Sequence, residues 1–126
     1  MEDETLNSEN GTKVIKADDF VFLNDGAKRL VIRASQIATF EVDGNYTMVH
    51  LNDATSVLIT RSLIRLERRL DPSTFFRASR ACIVNLACVK QIKPCGRRQF
   101  IFVLTDGKHV ELSRRRTMRF QKENAL

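Results

Sequence analysis

The chemistry-bearing residues of this chain are mostly arginines. Ser113-Arg114-Arg115-Arg116 sets three of them in a row behind a residue suited to cap a helix. A helix start favours acids, and each misplaced cation there costs roughly 0.3–1 kcal/mol, so an external anion is the natural counterpart. In Arg77-Ala78-Ser79-Arg80, Arg77 and Ser79 suit phosphate oxygens, while Arg77 equally suits a carboxylate at the end of a helix. In Asp43-Gly44-Asn45-Tyr46-Thr47, the Asn45 amide matches adenine N6 and N7, and Tyr46 or Thr47 can donate to phosphate. The same five residues also make an ordinary hairpin turn in which Gly44 and Asn45 supply positive φ. Arg97-Arg98 forms a further basic pair that a solvated turn explains better than a binding role. Arginine outnumbers lysine 14 to 7, and its planar fork fits both guanine O6/N7 and phosphate.

Other chemistries find little support. His50 and His109 each fall inside an expected strand, where a lone histidine is usually structural. The spacing of Cys82, Cys88 and Cys95 matches neither zinc pairs nor a disulfide scaffold, so no metal or cofactor is expected. Cys82 and Cys88 sit in apolar surroundings as small core residues; Cys95, beside Gly96-Arg97-Arg98, is a candidate redox-sensitive thiol. No phosphate-cradling glycine loop or nucleophile elbow is present, and an enzyme is not expected.

Loops of this kind need a rigid support, and the periodicity supplies one. Phe20 to Leu23 and Arg29 to Arg33 flank Asn24-Asp25-Gly26 as a hairpin, followed by a helical turn at Ser35 to Ile37. Ala38 to Val42, Tyr46 to Leu51 and Ser56 to Thr60 read as three strands joined by tight turns. Ser62 caps a helix with Leu63, Leu66 and Leu70 on one face, which Asp71-Pro72 stops. Phe75-Phe76 re-enters the core, Arg77 to Ala81 reads as a polar basic link, and Cys82 to Leu86 is apolar. Val89 to Lys93, Phe100 to Leu104 and His109 to Leu112 are strands; a short C-terminal helix follows Ser113, with Met118 and Phe120 facing inward.

At 126 residues the chain is one domain, and its net charge of +6 conceals an asymmetry. Residues 1–19 read as a flexible tail with six acids, among them Glu2, Asp3, Glu4 and Glu9, against two lysines; residues 20–126 read as the folded unit and carry +10. Arg77 to Leu126 alone nets +9, a field that attracts polyanions. No apolar run reaches the roughly 20 residues of a membrane helix, and the acidic start is unlike a secretory signal.

Four segments together carry a family resemblance: Ile37 to Tyr46 (with F-E-V-D-G-N-Y), Arg61 to Leu70 (R-S-L-I-R-L-E-R-R-L), Phe75 to Asn85 (F-F-R-A-S-R-A-C-I-V-N) and Leu104 to Arg116 (L-T-D-G-K-H-V-E-L-S-R-R-R). The combination resembles the LytTR family of bacterial DNA-binding domains, from about Phe20 to Leu126. The resemblance implies a mainly β fold, a stack of small antiparallel sheets with one central helix and a short C-terminal helix, whose loops enter the grooves of double-stranded DNA. It puts Asn45, Arg80 and Arg114 at the three base-reading positions. Tyr46, Arg77, Ser79, Arg115 and Arg116 join them as candidate backbone contacts.

The implied protein is a cytoplasmic, nucleoid-associated transcription regulator acting on paired sites with a second copy of itself. Only 19 residues precede the matching region, too few for a receiver domain of roughly 120 residues, so a stand-alone regulator is expected, controlled by its level, self-association, Cys95 or a separate inhibitory protein. Two other classes fit the charge: a basic β-rich module for RNA or single strands, and a protein-interaction adaptor. The first requires aromatic platforms, for which the chain has no tryptophan, one tyrosine, and phenylalanines mostly at core-periodic positions.

Overall fold

The structure, a computed structural model, describes residues 13–126. Ten strands and two α-helices follow the alternation of short β-favouring runs with turn residues. In chain order they are β1 (Phe20–Asn24), β2 (Arg29–Arg33), β3 (Ile37–Asp43), β4 (Tyr46–Leu51), β5 (Ser56–Ile59), α1 (Leu63–Arg69), β6 (Phe75–Ser79), β7 (Cys82–Asn85), β8 (Val89–Pro94), β9 (Phe100–Leu104), β10 (His109–Glu111) and α2 (Arg114–Asn124). Short 3-10 turns at Ala34–Gln36 and Leu86–Cys88 redirect the chain.

The strands form three antiparallel sheets: a β1–β2 hairpin, a five-stranded sheet in the order β5-β4-β3-β7-β6, and a three-stranded sheet in the order β10-β9-β8. The expected mainly β stack is thus the observed architecture. Two cores result. Leu23, Ile37, Phe40, Val49, Leu63 and Phe75 join the hairpin and α1 to one face of the large sheet, whereas Phe76, Val84, Phe102, Leu104 and Leu112 join the small sheet and α2 to the other.

Both helices start as their sequences dictate. Ser62 Oγ accepts from the Arg65 amide at 3.3 Å, and Ser113 Oγ accepts from the Arg116 amide at 3.2 Å, each satisfying an orphan donor of the first turn. Leu63 and Leu70 are buried and Leu66 is half-buried. Asn85, the asparagine of the I-V-N motif, is fully buried: its amide donates to the carbonyls of Ile37 (2.9 Å) and Ser35 (3.3 Å), and its oxygen accepts from Ala87 N. It fastens the end of β7 to the start of β3.

Three details differ from the sequence-based expectation. Arg77 to Ala81 is no polar link. Phe75–Ser79 is an edge strand, with Ala78 wholly buried and only Arg80-Ala81 left as the turn between the paired Ser79 and Cys82. Met118 is 59% exposed. The inward stripe of α2 is Thr117 and Phe120, one turn apart; the Thr117 hydroxyl accepts from Phe100 N at 3.1 Å, so a threonine occupies the buried position without an unmet polar group. Finally, the last part of the acidic stretch is docked. Ile15 N donates to Arg69 O at 2.7 Å, Ile15 O accepts from Asp71 N, and Ala17 and Asp19 carbonyls accept from Ser35 and Ala34. Residues 1–12 of the expected tail lie outside the described residues.

Cys82 and Cys88 are buried and Cys95 is half-buried. Burial, aided by Glu41, pushes the Cys82 thiol up to about 12, and burial together with Asp106 raises that of Cys88. Iodoacetamide at neutral pH should therefore modify Cys95 alone in the native protein, and all three thiols after denaturation. Native labelling of Cys82 at the rate of Cys95 would contradict this placement.

Candidate nucleic-acid interface

Strand register decides which turns meet. Asp43 pairs with Tyr46 around the two-residue Gly44-Asn45 turn. On the other side of β3, Glu41 pairs with Cys82, and Val42 N donates to Ala81 O at 2.9 Å. The β3–β4 and β6–β7 turns therefore stand side by side at one end of the large sheet, carrying Asn45 and Arg80, both exposed. Gly44 alone takes positive φ in its turn, at +62°. Asn45 is outside the left-handed region, so it is not there to supply positive φ; the Gly-Asn pair fits a two-residue hairpin turn with glycine at its first position.

The third loop reaches the same region through α2. Its first turn contains Arg114, Arg115 and Arg116 and no acid. Further along the helix, Arg119 and Glu123 line a crevice with Pro72 and Phe75 near the start of β6. Phe120 packs on Phe76, and Arg116, a turn earlier, lies close to Arg77 and Glu67, so the helix N-terminus lies on the Arg77 side of β6. Arg114 and Arg115 are exposed, whereas burial depresses the Arg116 pKa below the usual arginine value. Arg77, Arg115 and Arg119 push the same way and Glu67 opposes them, yet the guanidinium stays charged. Gln99 Nε2 donates to Leu112 O at 3.2 Å, setting the base of the Arg97-Arg98 turn beside this helix start as well.

Two sequence candidates have internal duties. Arg77 has a side chain only 9% exposed: Nε donates to Ser79 O at 2.7 Å, Nη2 to Arg80 O at 2.9 Å and Nη1 to Glu67 Oε1 at 2.8 Å. Its fork is taken up in bracing the turn that presents Arg80, with the α1 carboxylate as its counter-ion. Thr47 is 1% exposed, and its hydroxyl donates to Arg61 O at 2.6 Å, which removes it as a phosphate donor. That bond and the Thr47–Ile59 pairing instead bring Arg61, exposed just ahead of the α1 cap, to the same end of the sheet. Arg61 was not among the sequence candidates; its one signal is a basic residue directly before an N-capping serine.

Tyr46 is 48% exposed beside Asn45. Ser79 Oγ accepts from Ala81 N at 3.1 Å, which leaves its hydroxyl hydrogen available to an anion. His50 is held between Glu41 (3.0 Å) and Ser56 (2.9 Å) on the sheet face, and His109 is exposed on β10. Among the described residues no cluster of three metal-ligating side chains occurs, and no helix is long and apolar enough to cross a membrane.

Comparison with curated protein sequences finds no match. Among solved structures, the chain is similar to the LytTr DNA-binding domain of a protein described as a methyl-accepting/DNA response regulator from Bacillus cereus. The TM-score is 0.77 at 23% identity, over 85% of this chain and 97% of that one. The sequence profile of the LytTr DNA-binding domain family matches residues 27–124, and with that span covering nearly all of the described structure, the chain belongs to the LytTR family of DNA-binding domains.

Proposed function

We propose that the chain is a sequence-specific transcription regulator that reads duplex DNA with loops instead of a recognition helix. The observation that carries this is the gathering of the Asn45 turn, the Arg80 turn and the arginine-only first turn of α2 at one end of the molecule. Asn45, Arg80 and Arg114 supply the base-edge contacts, an amide for adenine and forks for guanine. Tyr46, Ser79, Arg115, Arg116 and Arg61 hold the phosphates, and Arg77 positions Arg80 without touching the nucleic acid. The protein acts in the cytoplasm at the nucleoid, with two copies on paired sites.

Selection of bound duplexes from a random pool tests this directly: a recurring, paired base sequence is expected, and enrichment no better than chance would defeat it. On the selected site, Arg80→Ala and Arg114→Ala should each lose about 1–3 kcal/mol and relax preference at particular base pairs. An equal loss on random DNA would remove either residue from base reading. Arg115→Ala should instead weaken all duplexes alike and flatten the log Kd against log salt slope by about one unit.

One observation favours the single-strand alternative. Phe20 and Phe22 are 63% and 62% exposed on one face of β1, with the Arg33 guanidinium 4.5 Å from the Phe20 ring centroid. Bases could stack there. Competition of the bound duplex by single-stranded DNA separates the two, with weak competition expected.

A further inference from the structure

A groove of about 500 Å³ runs between β1 and α1. All of Phe20–Asn24 lines it, and because successive residues of a strand point to opposite faces, a lining that takes five in a row is the edge of the strand. Among the described residues β1 is paired on its other side only, by β2, so peptide N–H and C=O groups of this edge look into the groove. Arg65, Leu66 and Arg69 of α1 form the opposite wall, over a floor of Ile37, Phe40 and Ile59. Lys13, Arg61, Arg65 and Arg69 bring four cations to the lining, and no acid is among the lining residues.

We propose that this groove binds an extended acidic peptide segment of a partner protein, added as a strand along β1. An open strand edge facing a helix is the geometry in which main-chain hydrogen bonds give affinity and alternate side chains give specificity. Here the inward side chains of the segment are apolar, to meet the half-buried Val21 and Leu66 of the lining, and the outward ones carry carboxylates to Arg61 and Arg65. The five residues of β1 span roughly 17 Å, which sets the segment at about five or six residues. A nucleic acid would meet the cations and the exposed Phe20 and Phe22 rings, but it would leave the main-chain groups of the strand edge unused.

The test uses the full chain without DNA and a fluorescein-labelled hexapeptide of alternating glutamate and leucine, followed by fluorescence anisotropy. Saturable binding is expected, with the lysine–leucine counterpart about tenfold weaker because like charges meet at the rim. Methylating alternate peptide nitrogens should also weaken binding by about tenfold, since the strand pairing loses its donors. Arg65→Glu, at an exposed position, should weaken it by about fivefold or more while leaving thermal unfolding unchanged. No saturation, equal binding of the lysine peptide, indifference to methylation, or indifference to Arg65→Glu would each overturn the proposal.

Discussion

Replacing Phe102 by alanine is expected to cost about 3–5 kcal/mol of stability, much of what a domain of this size possesses. Phe102 is wholly buried on β9, and its ring meets Phe120 of α2 edge-on at 5.0 Å and Phe76 of β6 at 6.2 Å. Phe120 and Phe76 themselves meet at 5.3 Å, so the three rings close a triangle between the small sheet, the large sheet and α2. Removing the central ring leaves a cavity that the two others cannot both fill, and it loosens the helix that carries Arg114–Arg116. Thermal unfolding should fall by on the order of 10–20 °C. Phe120→Ala separates the two effects: it leaves Phe102 inside the sheet packing but frees α2, so affinity should fall further than stability does. A Phe102→Ala melting temperature within a few degrees of the parent would contradict the packing described.

Arg77→Met is expected to give the second large effect and to decide what Arg77 does. The substitution keeps the aliphatic stem but removes donors from the carbonyls of Ser79 and Arg80 and from Glu67. Glu67 is 37% exposed and can return to water, so the stability loss should be about 1.5–3 kcal/mol instead of that for a fully buried pair. Affinity for the selected duplex should drop about tenfold as the Arg80 turn loses its brace, while the salt slope stays as it was. A slope reduced by about one unit would mark Arg77 as a phosphate contact.

Much of the local structure is legible in the sequence because it is set by short-range chemistry. Ser62 and Ser113 cap their helices, Asp71-Pro72 stops α1, and the hairpin turns fall at Asn24-Asp25-Gly26, Asp43-Gly44-Asn45 and Asp106-Gly107. Several of the differences involve polar groups whose partners no local pattern names. Arg77, read as part of a polar link, lies on a strand, and of the two partners its type allows it meets the helix-end carboxylate, Glu67. Thr47 and Thr117 look exposed until Arg61 O and Phe100 N engage their hydroxyls. Met118 outranks Thr117 in hydropathy, and only the register of α2 against β6 reverses their positions.

The candidate interface divides in the same way. Its members are visible as arginines and turn residues, but their assembly rests on the β3–β7 pairing, which joins segments about forty residues apart. Arg61 escapes notice because its place at the sheet end comes from a hydrogen bond to Thr47, a contact that no local pattern announces.

Phe75 and Phe76, adjacent on β6, belong to different cores. Each core thus ends on a peptide unit that the other also holds, so loosening of either is felt by its neighbour through β6. β6 is accordingly the strand through which the two halves are coupled, while α2 leans on the second core alone. Sub-global opening that would let the α2 arginines swing away from the Asn45 turn has to pull Phe120 away from Phe76 and Phe102. While those rings stay packed, the fold sets the spacing between the proposed reading residues, and an operator whose contacts are displaced along the helix is met by deforming DNA rather than protein.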